Sequence, residues 1–225
     1  MAQQNALKAI GRFASCDVAD ALVKLGHPYG GYMHGIKMFS PVAQGGDTKI
    51  FGPAYTVLMV DTNDKTSPTP SSHFVDNIPD GSVVMISQPR NLFTACWGGL
   101  MATRAQKLGA KGIVIDGNFR DINEHRELGM PMFARAIAAP GSASFTRSAA
   151  FNVPIHFTSE TQIRPLTIKP GDYILADADG VVAVPPEKAE ECLALVEERA
   201  RIDEQTLAAL KAGEAMGPVI ARLRK

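Results

Sequence analysis

The stretch "GGLMATRAQKLGAKGIVIDGNFRD", residues 98–121, constrains the fold more than any other part of the chain. A helix is predicted to begin at Gly98-Gly99 and stop at Gly109, with Met101, Ala105 and Leu108 on its inner face. Only "GAKG" separates it from the apolar run Ile113, Val114 and Ile115, which reads as a strand. A helix fed into a strand through so short a connection is the tight unit of α/β architecture. The strand ends at Asp116-Gly117, and the charged pair Arg120-Asp121 follows. A loop at a strand end of this kind lies at the sheet edge where α/β proteins bind ligands.

The rest of the chain supports an α/β fold. "SCDVADALVKLG" is predicted as a helix capped by Ser15, with Val18, Ala21, Leu22 and Leu25 on one face and Gly26 as its stop. "HPYGGYMHGIKMFSP" reads as a loop leading into extended chain, and "GPAYTVLMVD" as a strand in which Tyr55, Val57 and Met59 alternate with Thr56 and Leu58. "TNDKTSPTPSS" is a surface excursion, and "PDGSVVMIS" a turn followed by a strand. Further on, "DINEHRELG" reads as helical, "MPMFARAI" as extended and "NVPIHF" as a short strand. "KPGDYILADADGVVAVP" is predicted as two strands joined at Asp179-Gly180. Pro186 opens a long amphipathic helix to about Ala212, striped by Cys192, Leu195, Val196 and Arg199. At 225 residues, without internal repeats, this is a single domain over 1–225 with a C-terminal helical arm from about 186.

Charge narrows the function classes. Formal net charge is zero, which argues against a broad electrostatic grip on nucleic acid or an anionic membrane. Cys16, Cys96 and Cys192 are an odd, widely spaced set without metal-site spacing, and read as buried or free thiols of a reducing compartment. "MAQQNALKAIGRF" lacks the apolar core of a secretory signal, and no run approaches transmembrane length, so a cytoplasmic location is expected.

Two motifs carry chemistry, each with a purely structural reading beside it. A helix beginning at Gly98-Gly99-Leu100-Met101 offers unpartnered amides to a carboxylate or phosphate, or its glycines simply make a sharp turn. Asp121-x-x-Glu124 matches a capping box, which explains the acid without any ligand. Alternatively Arg120 forks onto a carboxylate or enolate oxygen, and Asp121 holds a hard divalent ion whose other positions water fills. His27, His34, His73, His125 and His156 lack zinc spacing. No dinucleotide, nucleoside-triphosphate or nucleophile-elbow signature is present, and "VIDGN" lacks the glycine-rich continuation of a methyltransferase strand end.

As a whole, "WGGLMATRAQKLGAKGIVIDGNFRDINEHRELGMPMFAR" resembles the family named for regulator of ribonuclease activity A, which includes the 4-hydroxy-4-methyl-2-oxoglutarate aldolases. "SCDVADAL", "NVPIHF" and "PGDYILADADGVVAVP" extend the likeness over most of the chain. The resemblance implies a compact layered swivelling β/β/α domain assembled as a homotrimer or homohexamer. It implies a metal-dependent lyase on small 2-keto acids, acting as an aldolase, an oxaloacetate decarboxylase, or both.

In the roles it carries over, amides from Gly98, Gly99, Leu100 and Met101 bind the pyruvyl carboxylate, Arg120 contacts substrate and Asp121 holds Mg²⁺ or Mn²⁺. Both reactions leave an enolate of pyruvate, whose charge the ion and Arg120 would stabilise without a Schiff-base lysine. The family also brings in a glutamate from a neighbouring subunit's C-terminal region, for which Glu204 is the candidate, with Glu198 and Asp203 competing. One departure stands out: many members carry an acid after the first glycine, where this chain has Gly99. The competing class is a non-catalytic ribonuclease-binding regulator, which the intact Arg120-Asp121 pair disfavours. A menaquinone-pathway methyltransferase is a third label attached to such proteins.

Overall fold

The apolar run at Val83–Ile86 and that at Ile113–Ile115 have no polar alternation, as expected of parallel strands covered on both faces. A computed structural model, describing residues 2–224, shows this arrangement. In chain order the elements are α1 (Ala2–Ile10), α2 (Ser15–Lys24), β1 (Lys37–Ser40), β2 (Ile50–Asp61), β3 (Val83–Ser87), α3 (Gly99–Lys107), β4 (Gly112–Phe119) and α4 (Ile122–Leu128). There follow β5 (Met132–Ile137), β6 (Thr146–Phe151), β7 (Ile155–Phe157), β8 (Leu166–Ile168), β9 (Tyr173–Ala176), β10 (Val181–Val184), α5 (Ala189–Lys211) and α6 (Met216–Leu223). The main sheet runs β1-β5-β4-β3-β2-β9-β10, with β6 also on β2; β7 and β8 form a separate pair. β2, β3, β4 and β5 are parallel, while β1, β6, β9 and β10 pair antiparallel to their neighbours.

Alternate residues of the central strands feed different layers. Val84, Ile86, Ile113 and Ile115 pack with Ala102, Ala105 and Trp97 beneath α3 and α4. Val83, Met85 and Val114 point the other way, into a cluster with Phe133, Phe157 and Ile174. A third cluster, with Ile10, Leu22, Val182, Cys192 and Val196, joins α1, α2 and α5 to the β9–β10 hairpin. This mixed sheet with helical layers is the α/β class expected from the sequence. The helical segment expected from about 186 starts as a short 3-10 turn at Pro186–Lys188 and continues as α5, folded back on α1 and α2.

One local expectation is corrected. Ser15 does not cap α2 but is its first helical residue, after Ala14 at the cap position. Asp177, from the β9–β10 turn, does the capping: it accepts from the Ser15 backbone N–H at 2.8 Å and from Ser15 Oγ at 2.6 Å. The cysteines are free, with Cys96 and Cys192 buried and Cys16 exposed. No described helix is long and apolar enough to cross a membrane.

Candidate active site

The chain entering α3 runs alongside the end of β4, and this brings the two sequence motifs together. Cys96 N–H donates to Asn118 O at 2.9 Å, Arg120 N–H donates to Trp97 O at 3.0 Å, and Trp97 bridges Phe119 in parallel. Gly98-Gly99 is thereby set against Arg120-Asp121, at the C-terminal ends of adjacent parallel strands, the usual ligand edge of such sheets. A register shift between Ile115 and Asn118 re-aims the end of β4 just before the pair. Gly117 sits in that irregularity against Gln88, whose side chain occupies the space a β-carbon would need.

Asp121 decides between the two readings of the motif. It stands at the cap position of α4, but its backbone is left-handed (φ 64°, ψ 44°) and its side chain makes no cap bond. A non-glycine residue held there costs of order 1 kcal/mol and requires surrounding structure to hold it. The carboxylate instead reaches α3, where Oδ2 accepts from Gly99 N–H at 3.0 Å and lies 3.5 Å from Arg120 Nε. A β-carbon at Gly98 would come within 2.6 Å of that oxygen, so glycine permits the approach. The capping-box expectation is thus overturned for the side chain. Glu124, its second member, turns toward α3 as well, its Oε2 standing where a β-carbon of residue 99 would be.

Beneath Asp121, buried His125 fixes the backbone: its Nδ1 is 2.8 Å from Asp121 O. Burial holds the His125 pKa below the ordinary imidazole value, so the ring is neutral and Nδ1–H is the donor. Arg120 is about half exposed (47%) and its guanidinium lies over Gly141, where a β-carbon would approach Nη1 to 2.8 Å.

These groups border a cavity of about 130 Å³ lined by Trp97, Gly98, Met101, Arg120, Asp121 and Gly141, among others. A larger space of about 230 Å³ lies between α2 and α5, bordered by Asp17, Asp20, Lys24, Leu195 and Arg199. The amides of Leu100 and Met101 lie in the first turn of α3, before Ala102 N–H makes the first helical bond to Gly98 O at 3.1 Å. They remain available to an anion, whereas the Gly99 amide is already engaged by Asp121.

Six of the sequence-derived residues therefore converge: Gly98, Gly99, Leu100, Met101, Arg120 and Asp121. Glu204 does not line the cavity; it is on α5, which packs on α1, α2 and α6. The sequence reading took Glu124 only as a capping partner and passed over Trp97, Gly141 and Ser142; the D-x-x-E spacing was the one available signal for Glu124.

A divalent ion suits the donors at this site. Asp121 and Glu124 present hard oxygen atoms beside a positively polarised helix end. Among the described residues, no three His, Cys, Asp or Glu side chains gather into a cluster. A site here would thus use one or two protein oxygens with water completing the shell, the mode that suits Mg²⁺.

The family model described as RraA-like, Aldolase/RraA, matches residues 15–183, a span that contains α3, α4 and the Arg120-Asp121 pair. The chain belongs to the RraA-like family. It is 28% identical over 188 residues to the protein DlpA of Legionella pneumophila, covering 83% of this chain but 28% of that protein. A Halalkalibacterium halodurans protein with the provisional name 4-hydroxy-4-methyl-2-oxoglutarate aldolase is 32% identical over 124 residues, 55% of this chain and 56% of its own. The alignments thus span about a quarter and about half of these relatives. An Albidiferax ferrireducens protein with the same provisional name is 28% identical over 76% of this chain and 94% of its own.

Among solved structures, an uncharacterised Pseudomonas syringae protein superposes with a TM-score of 0.79 at 27% identity, over 96% of each chain. RraAS2 of Streptomyces coelicolor, described as an unusual member of the RNase ES inhibitor RraA family, gives a TM-score of 0.74 at 25% identity, over 90% of this chain and 95% of its own.

Proposed function

We propose that this protein is a divalent-metal-dependent lyase releasing pyruvate from small 2-keto acids. The substrates fitting this reading are 4-hydroxy-4-methyl-2-oxoglutarate or 4-carboxy-4-hydroxy-2-oxoadipate, cleaved by retro-aldol chemistry, and oxaloacetate, decarboxylated. One observation carries the proposal: Asp121 forgoes capping α4 and directs its carboxylate to the amide end of α3, beside Arg120. The aldolase names of several relatives support the reaction class.

Each group has a role. The Leu100 and Met101 amides, at the positive end of α3, receive the substrate carboxylate. Arg120 directs its guanidinium at the keto oxygen and stabilises negative charge as the carbon–carbon bond breaks. Asp121, with its carboxylate fixed by Gly99 N–H, would hold Mg²⁺ or Mn²⁺. When bound, such an ion supplies a Lewis acid that polarises the keto oxygen. Trp97 and Met101 form an apolar wall against the reacting carbons. Glu204, contributed by a neighbouring copy in a homotrimer or homohexamer, is the proposed further acid.

The test is pyruvate release from a panel of 2-keto acids, lost with EDTA and restored by Mg²⁺ or Mn²⁺. Arg120→Ala and Asp121→Ala are each expected to lower turnover about a hundredfold or more, with unchanged circular dichroism. Near-normal turnover in both variants defeats the proposal. The likeness to the Streptomyces structure favours a second reading, a ribonuclease-binding regulator. Ribonuclease capture unaffected by Asp121→Ala, together with no pyruvate release from any substrate, would establish that reading instead.

A further inference from the structure

We infer that the groove between α2 and α5 binds a small amphiphilic monocarboxylate, its head held by Lys24, Arg199 and Arg224 and its hydrocarbon body laid on Ala21, Val23 and Leu195. The groove shares no bordering residue with the candidate active site.

Helical spacing builds it. Asp17, Asp20, Ala21 and Lys24 recur at three- and four-residue intervals on one face of α2. Leu195, Arg199 and Ile202 do the same on α5, which packs against α2. The space of about 230 Å³ described above adjoins another of about 300 Å³, since Lys24, Leu195 and Arg199 border both. Arg224, just past α6, borders the second space.

Charge is divided along this groove. At one end, Arg199 Nε donates to Asp203 Oδ2 at 3.1 Å and Arg224 Nη2 donates to Oδ1 at 2.5 Å. Two guanidiniums thus share one carboxylate, and their remaining N–H groups have no protein acceptor among the described residues. Lys24 is exposed and makes no ion pair among the described residues, although Asp20 precedes it by four residues, a spacing at which such pairs close on a helix. Glu198 is the acid bordering this end, so with Asp203 it leaves the three cations in excess. Asp17 and Asp20 lie toward the other end, likewise outside any ion pair among the described residues.

That arrangement selects a ligand class. Guanidinium forks with unfilled donors suit a carboxylate, and the Lys24 ammonium adds a point charge. Beside them Ala21, Val23 and Leu195 offer apolar contact, with Val23 59% exposed until something covers it. Asp17 and Asp20 repel a second carboxylate carried at the far end of the body, which discriminates against dicarboxylates.

Titrating hexanoate into the full-length protein at low salt, with binding followed by ligand-observed NMR, tests this. Hexanoate is expected to bind, and adipate, the same carbon chain with a second carboxylate, to bind about tenfold more weakly. Lys24→Gln, which removes no bond of the fold, is expected to weaken hexanoate about fivefold. Asp20→Asn is expected to strengthen adipate by a similar factor and to leave hexanoate within about twofold, a gain that damage to the fold cannot produce. Arg120→Ala is expected to leave hexanoate binding unchanged; its loss there would place the ligand in the candidate active site and overturn the inference. Absence of hexanoate binding, adipate binding as tightly as hexanoate, or an undiminished affinity in Lys24→Gln would each overturn it too. Tighter binding of inorganic phosphate than of hexanoate would refute the hydrocarbon contact and with it the assigned ligand.

Discussion

Replacing Gly117 with alanine tests how the site is built. Gln88 is almost completely buried (5% exposed); its Nε2–H donates to Thr94 O and its Oε1 accepts from Asn118 N–H, each at 2.8 Å. A β-carbon at 117 would overlap Oε1 and lie 2.6 Å from the Gln88 β-carbon, so rotating the amide alone does not make room. Gln88 must surrender both bonds. Two hydrogen bonds at about 1 kcal/mol each, plus about 1–3 kcal/mol for an orphaned Asn118 donor, give a destabilisation of about 3–5 kcal/mol. In a chain of this size that lowers the melting midpoint by roughly 10 °C.

Urea denaturation of Gly117→Ala, Gln88→Gly and the double variant measures it, with the slope checked for constancy. Once the Gln88 side chain is gone, the added alanine is expected to cost less than about 1 kcal/mol, so the pair couples strongly. Additive costs, or a single-variant loss below about 1 kcal/mol, would refute the steric account. Because Gln88 ties the chain before α3 to the end of β4, the same variant should also loosen Gly98-Gly99 from Arg120-Asp121.

Two further outcomes are expected. Asp177→Ala removes both bonds to Ser15 and should cost about 1–2 kcal/mol in denaturant midpoint stability; an unchanged value would show that α2 needs no cap from the hairpin. His125 is held neutral by burial, with its pKa lowered, so the unfolded chain binds that proton first as pH falls. Stability therefore declines below about pH 6.5, where the unfolded imidazole titrates. His125→Leu is expected to flatten this decline relative to wild type; equal slopes from pH 7 to 5 would count against a buried neutral ring.

The α3–β4 unit was legible because its signals are local: glycine at either end, apolar spacing, and a run too apolar for any position but the middle of a sheet. The convergence of Gly98–Met101 with Arg120-Asp121 was legible only through family resemblance, since it depends on pairing between Trp97 and Phe119. The choice between the two readings of Asp121 was not legible locally for a related reason. D-x-x-E is a sound capping signal, but Arg120 N–H donates to Trp97 O, His125 Nδ1 holds Asp121 O, and Gly99 N–H, from another helix, donates to the carboxylate. Glu124 follows Asp121, and what draws it is space left by Gly99, far away in sequence. "TRSAAF" lacks the β-branched alternation of a strand and becomes β6 only because β2 offers it an edge. β8, three residues long, is likewise made by its partner β7.

β2 has a consequence for how the chain is made. Its second half pairs with β6, but its first half meets β9 through Ile50↔Ala176, contacts that close only after about 120 more residues have left the ribosome. For that interval the nascent chain carries an open, greasy ribbon edge of the kind that recruits chaperones or neighbouring chains. Ala54, whose N–H goes on to donate to Asp172 O at 2.7 Å, is among the donors left open on that edge until β9 arrives.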